Sequence, residues 1–435
     1  MMLGLTPEAL AFVVFSVGML VLMGTGMNMG LALVLTGAGM AWVLDFWDAQ
    51  LLAQNLVAGV DSFPLLAVPF FILAGELMNS GGISRRIIDM AQAWVGHIRG
   101  GLGYVAIGAA VLMASMSGSA LADTAALATI LLPMMRQQGY PMNTSAGLIA
   151  SGGIIAPIIP PSMPFVIYGV TTNTSISALF VSGIVPGLMM GAGLIFAWRW
   201  VLRGMKDLPQ GEPLPLNDRL RSTARAFWAM LMPLIIIGGM KTGVFTPTEA
   251  AVVAAFYALV VALFIHREMK AADIYGVLVR AAKTTSIVMF LCAGAQVASY
   301  MITLADLPNV LTSWLGPLVE NPRLLMAVMM IVLVLIGTAL DLTPTILIFA
   351  PVMLPIAVKA GIDPVYFGLM FVLNGAIGLI TPPVGTVLNV VAGVGRISMH
   401  SVIKGVNPFL FTYVLILALL VVFPQIVTAP VVWLR

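Results

Sequence analysis

Long apolar runs follow one another along most of the chain, separated by short polar breaks. They fall at about 8–23, 28–45, 63–80, 101–114, 121–135, 143–171, 184–203, 226–241, 248–267, 284–304, 324–336, 345–360, 363–396 and 405–428. A bilayer-spanning helix takes ~20 mostly apolar residues. Most of these runs therefore predict membrane helices, and a few are too short to cross unaided. Two long runs are interrupted by proline. The 143–171 run carries Pro157, Pro160, Pro161 and Pro164, and the 363–396 run carries Pro382 and Pro383. Proline removes a backbone donor and frees the carbonyl one turn earlier, so neither run continues as one helix.

The punctuation repeats. Pro133 and Pro355, Gly139 and Gly361, Pro160-Pro161 and Pro382-Pro383, Gly183 and Gly405, and Pro186 and Pro408 are each 222 residues apart. The chain therefore reads as two similar halves, 1–203 and 227–435, joined by a polar linker at 204–226. Within the second half, Thr246 to Glu249 ("TPTE") spells a capping box with proline at the first helical position.

Loop charge sets orientation. Arg199, Arg203, Lys206, Arg219, Arg221 and Arg225 place the linker region in the cytoplasm by the positive-inside rule. Segment 84–99 carries Arg85, Arg86 and Arg99, whereas its equivalent 306–321 carries Asp306 and Glu320 and no basic residue. Segment 46–61 has Asp48 and Asp61 and no basic residue, whereas its equivalent 268–282 has Lys270 and Arg280. Equivalent loops of opposite character predict halves of opposite topology. The count closes if 101–138 and 324–360 are re-entrant hairpins. Each half then has about five spans plus one hairpin, and both termini lie outside. Segments 84–99 and 306–321 are predicted as amphipathic arm helices on the cytoplasmic and periplasmic surfaces. The expected fold is an all-α polytopic membrane protein of two inverted-topology repeats with broken helices.

Composition agrees. The chain is 60% hydrophobic and 9% charged, against about 25% charged in soluble domains. Its net charge of +3 resides in loops, and no basic run forms a nucleic-acid footprint. The single cysteine, Cys292, excludes an intrachain disulfide. No zinc-protease, nucleophile-elbow or P-loop motif occurs, so the sequence does not read as an enzyme.

The expensive polar groups are concentrated at four places. The first hairpin tip, residues 115–119, holds Ser115, Ser117, Gly118 and Ser119; the second, 337–345, holds Gly337, Thr338, Asp341 and Thr343. Unpaired backbone groups at membrane depth are tolerated only inside protein or beside a wet cavity. Each tip opposed to a proline break would form a cage of neutral oxygens, which suits a hard cation such as Na⁺. The repeat predicts two such sites. Asp123 and Asp341 follow the tips, and an intramembrane carboxylate costs about 3 kcal/mol or more. Asp123 alternatively caps the hairpin's second helix. The core between the tips has no Arg, Lys or His. An anion there would be held by helix N-termini, bound cations, Ser119, Ser162, Thr343, Asn173, Asn374 and Asn389. Asn374 reads equally well as an interhelical hydrogen bond.

The stretches 61–84 ("DSFPLLAVPFFILAGELMNSGGIS"), 117–135, 151–165 ("SGGIIAPIIPPSMPF"), 245–261, 338–356 and 378–390 ("GLITPPVGTVLNV") resemble the large membrane subunit of TRAP transporters, nearest its diketogulonate-type branch. The resemblance implies a Na⁺-coupled importer of a small organic anion (a sugar acid, keto acid, dicarboxylate or sialic acid) in a bacterial or archaeal inner membrane. It implies an elevator-type fold, a small four-helix membrane subunit and a periplasmic substrate-binding protein. The large-subunit pattern opens the chain, so the small subunit is expected as a separate polypeptide. Carried over residue by residue, the Na⁺ ligands become Ser115, Ser117, Gly118, Ser119, Ile155, Pro157, Pro160 and Ser162 at one site. At the other they become Gly337, Thr338, Asp341, Asn374, Thr381, Pro382 and Gly385. From position and chemistry alone, the candidate substrate residues are Ser119, Asp123, Ser162, Asn173, Asp341, Thr343 and Asn389. A single-component Na⁺- or H⁺-coupled dicarboxylate carrier is the alternative.

Overall fold

The described structure, a computed structural model covering residues 7–205, 208, 210–307, 309–310 and 316–433, is built of helices joined by turns and short irregular stretches. The first half contains α1 (Pro7–Gly24), α2 (Met29–Val43), α3 (Ala49–Ala58), α4 (Ala67–Ser80) and α5 (Ile83–Val95). It continues with α6 (Gly101–Ser117), α7 (Ala120–Gln137), α8 (Met142–Gly153), α9 (Met163–Thr172) and α10 (Ile176–Leu202). The second half contains α11 (Leu216–Lys241), α12 (Pro247–Val260), α13 (Ala271–Leu304), the short α14 (Gly316–Val319), α15 (Pro322–Gly337) and α16 (Leu342–Lys359). It ends with α17 (Pro364–Gly378), α18 (Thr386–Gly395), α19 (Met399–Val422) and α20 (Gln425–Trp433).

Among the described residues, seven helical segments are long and apolar enough to cross a membrane by themselves, including Ile176–Leu202, Leu216–Lys241 and Met399–Val422. Others, including Gly101–Ser117 and Pro322–Gly337, are shorter apolar helices. The chain is an all-α polytopic membrane protein.

Shared punctuation gives shared helix ends. α7 and α16 begin and end at positions 222 residues apart. Each is followed by a glycine with positive φ, Gly139 and Gly361. The two paired-proline breaks lie between α8 and α9 and between α17 and α18, and both proline pairs are joined by a cis peptide. The capping box at Thr246 and Glu249 starts α12.

The helices pack in two groups. In one, α2 lies on α13 and α4 on α12, with α1, α3 and α11 alongside. In the other, α8 crosses α19, α15 lies on α17, and α10 lies on α19 and α20. The α8–α19 crossing is glycine-lined: a Cβ on Gly405 would fall 1.8 Å from the Asn143 carbonyl oxygen. The two hairpins belong to this second group, and they reach across the repeats. α7 of the first hairpin packs on α18, and α16 of the second packs on α9. The arm helix α5 touches both groups, through α6 and α11. Its Ile83, Ile87 and Ile88 are buried, while Arg85 and Asp89 on its other face are exposed.

Three charged segments differ from the sequence reading. Residues 49–58 are helical because Asp48 accepts hydrogen bonds from the amides of Gln50 and Leu51. The polar 268–282 segment is mostly the start of α13, which runs unbroken into the apolar stretch beyond it. The linker becomes helical at Leu216. The arm helix expected at 306–321 falls partly on residues 308 and 311–315, which lie outside the described residues.

Candidate functional site

The first hairpin turns at two residues. α6 continues through Ser117, and Gly118 ends it with φ of +62°. Ser115 and Ser117 therefore sit in the last helical turn and not in a loop. Ser115 Oγ donates to the Leu112 carbonyl at 2.7 Å, which keeps its hydroxyl satisfied within the helix. Ser119 is the N-cap of α7, accepting from the Ala122 amide. Asp123 is thus not the cap. It is buried one turn further on, where one carboxylate oxygen accepts from the Ser117 hydroxyl and the other meets no donor.

This tip rests against the first break. A Cβ on Gly118 would lie 2.8 Å from the Met163 amide nitrogen and 2.9 Å from the Pro161 carbonyl oxygen. Only a glycine combines the backbone freedom with the small bulk that this approach needs. Across from it, residues 154–162 are buried except Ile159, which is half-buried. Ser162 caps α9 through the Phe165 amide and donates its own proton to the Pro157 carbonyl. The Ile155 carbonyl accepts from the amides of Ile158 and Ile159. Among the described residues no hydrogen bond reaches the carbonyls of Ala156, Pro160 or Pro161. Gly118 donates no capping bond back to α6, so the last carbonyls of that helix are also uncommitted.

The second tip meets the second break in the same manner. α15 ends at Gly337, whose Cα lies 2.7 Å from where a Cβ on Gly378 would stand. The Gly385 amide donates to the Thr338 carbonyl at 3.4 Å, tying the two segments together. Thr338 and Thr381 turn their hydroxyls back onto Leu335 and Ile377 of their own helices. Their side chains are thus committed. Asn374 is fully buried; its amide donates to the Met330 carbonyl at 2.6 Å, and its own oxygen is left without a partner. Asn374 therefore combines an interhelical bond with a free oxygen. Asp341 occupies the N-cap position of α16 without making a side-chain cap. Thr343 is the second residue of that helix. The second break is more open than the first: Pro382 is half-buried and Pro383 is exposed.

Two candidates stand apart. Asn173 is the exposed C-cap of α9, at the opposite end of that helix from Ser162 and about 16 Å away along the axis. Asn389 is exposed on α18 with its amide near the Val384 carbonyl, on the same break as Pro382. One contact had no counterpart in the sequence pattern. Thr124 Oγ1 is buried without a partner, 1.7 Å from where a Cβ on Gly153 would stand, so α7 presses on the end of α8.

At each site two helix C-termini and two helix N-termini converge. α6 and α8 end at the first, and α7 and α9 begin there. C-termini carry partial negative charge and N-termini partial positive charge. The arrangement can hold a cation beside an anion. Among the described residues no group of three or more His, Cys, Asp or Glu could hold a metal ion.

The structure resembles that of the Alcanivorax borkumensis YdaH transporter, with a TM-score of 0.63 over 86% of this chain and 88% of that one. At 15% identity this likeness concerns the fold alone. In sequence, the chain is 52% identical over 410 residues to the 2,3-diketo-L-gulonate TRAP transporter large permease protein YiaN of Escherichia coli, covering 94% of this chain and 96% of that protein. It is 39% identical to the sialic acid TRAP transporter large permease protein SiaM of Vibrio cholerae, over 94% of this chain and 95% of that protein. It is also 39% identical to the C4-dicarboxylate TRAP transporter large permease protein DctM of Pseudomonas aeruginosa, over 88% and 90%. Residues 16–426 match the family described as tripartite ATP-independent periplasmic transporter, DctM component. The chain belongs to that family, and it is a multi-pass inner-membrane transport protein, not an enzyme.

Proposed function

We propose that this permease imports a small sugar-acid-like anion together with Na⁺, one cation at each meeting of hairpin tip and proline break. The observation that carries the reading is the set of uncommitted carbonyls at the end of α6 and in the break it touches. A helix C-terminus and free carbonyls favour a desolvated alkali cation. The N-termini of α7, α9, α16 and α18, with the bound cations, supply the positive potential that an anionic substrate needs in a core without Arg, Lys or His. Each ligand then raises the affinity for the other, which couples the two flows.

The two repeats cross the membrane in opposite orientations with both termini outside. The hairpin-bearing helix group moves against the other as an elevator, with α5 bracing the two. The likeness to the diketogulonate permease favours a sugar acid over a dicarboxylate as cargo. The working assembly includes a separate four-helix membrane subunit and a periplasmic substrate-binding protein.

The test is uptake into proteoliposomes holding an inward Na⁺ gradient, with sugar acids, sialic acid and dicarboxylates offered in parallel. Transport is expected only when both the small subunit and the soluble binding protein are present. Equal uptake by this chain alone would identify a self-sufficient carrier.

A further inference from the structure

A polar cavity of about 370 Å³ opens where the arm helix α5 meets the foot of α11 and the turn ahead of α13. Arg85, Arg86 and Arg225 face it, with Asp89, Ser222 and Glu268. Only one of the three guanidinium groups is ion-paired among the described residues: Arg86 with Glu268. Even there, Arg86 Nε is buried and meets no acceptor.

The position of Glu268 shows what this place favours. Gly82, the N-cap of α5, has φ of +69°, and the Glu268 carboxylate fills the space where a Cβ would stand. An anionic group of the chain itself is thus docked on the positive end of α5. Arg85 and Arg225 are left without a partner of this kind.

The cavity also lies at a definite depth. The spanning segment Phe63–Ser80 ends just before Gly82, and Pro247–Ile265 ends just before Glu268. The apolar stretch of α11 begins immediately after Arg225. Three membrane segments stop at one level, and the unpaired arginines stand on that level. The ends of spanning segments mark the level of the phospholipid head groups. Beside it, Trp94 donates to Thr223 at 2.9 Å and Arg219 stands 6.0 Å from the Trp94 ring, so the arm helix is fastened to α11 along the same line.

We infer that this cavity binds a phosphate group, supplied by the head group of an anionic phospholipid, with Arg85 and Arg225 as its ligands and Arg86 Nε as a third donor. Guanidinium matches the geometry of phosphate oxygens. A lipid held there pins α5 to α11 and to the bilayer surface. The arm helix then stays with the helices that do not move while α6, which it also touches, belongs to the group that carries the hairpins.

The experiment is native mass spectrometry of the purified full-length protein with phosphatidylglycerol, phosphatidylcholine or inorganic phosphate added. The unfolding midpoint is followed in the same samples. The expected result is preferential retention of phosphatidylglycerol over phosphatidylcholine. The double variant Arg85→Gln/Arg225→Gln should weaken that retention about 30-fold, given the usual contribution of each arginine at a lipid surface. Ser222→Glu, which adds a negative charge to the same cavity, should do likewise, and Arg199→Gln should not. Displacement of the lipid by millimolar phosphate, with a thermal shift from phosphate alone, would support the same site with a soluble anion as its source. Equal phosphatidylglycerol retention by the wild type, the double variant and Ser222→Glu would overturn the inference.

Discussion

Gly118→Val is expected to abolish uptake and to weaken Na⁺ binding at the first site by at least about tenfold, a loss of about 1.4 kcal/mol or more. Two independent costs combine. The left-handed conformation at Gly118 costs an ordinary L-residue about 1–2 kcal/mol. The new side chain would also meet the backbone of Pro161, Ser162 and Met163 at 2.8–3.1 Å, and these atoms cannot rotate away. The tip must lift from the break, separating the two sets of carbonyls. Gly139→Val is the matching control. Gly139 has φ of +75°, but open space surrounds the point where its Cβ would stand, with nothing within 4 Å, so it bears the backbone cost alone. It should lose about 1–2 kcal/mol of stability and retain Na⁺ affinity. Titration of Na⁺ into the detergent-purified protein, with uptake in parallel, distinguishes the two.

Asp341→Ala is expected to abolish uptake while leaving the fold intact. The carboxylate stands at the start of α16 and makes no cap bond, so little of the helix's stability rests on it. The neighbouring helix turn is held by the Asp341 backbone carbonyl, which accepts from Thr345 Oγ1 at 2.8 Å and survives the substitution. A carboxylate at membrane depth that makes no helix cap is a candidate ligand-binding group, and this substitution tests that role. Asp341→Asn should also fail, because it keeps the size and removes the charge. Asp123→Ala should behave differently. It strips the Ser117 hydroxyl of its acceptor beneath the tip and so should lower stability as well as uptake. Full uptake by Asp341→Ala in proteoliposomes, at an unchanged unfolding midpoint, would remove Asp341 from the site.

The sequence made the tips and breaks legible because proline and glycine have backbone jobs that recur wherever the fold recurs. Pro160-Pro161 and Pro382-Pro383 interrupt helices at equivalent places, and α7 and α16 share their ends for the same reason. Hydroxyl residues were less informative. Serines at 115 and 117 look like the start of a loop, yet a serine in an apolar helix can satisfy itself on the preceding turn, as Ser115 does. The turn is therefore shorter than its polar composition suggests. Charge misled in a related way at 268–282, where a run of helix-compatible residues continues the spanning helix out of the membrane. The helix at 49–58 did carry a signal in Asp48, a capping residue ahead of "AQLL". Side-chain partners across the molecule had no such signal. Nothing in the chain tells that Asn374 reaches Met330, that Thr124 presses on Gly153, or that Asn173 turns outward at the far end of α9.

The most direct measurement is uptake of the proposed sugar-acid substrate by the reconstituted assembly under one imposed gradient at a time. Proteoliposomes are given either an inward Na⁺ gradient at equal pH or an inward proton gradient in Na⁺-free buffer. Accumulation is expected with the Na⁺ gradient, rising with more than first-order dependence on Na⁺, and none with the proton gradient. Accumulation driven by the proton gradient without Na⁺ would contradict it, and would move the coupling from the carbonyl cages to the carboxyl groups of Asp123 and Asp341.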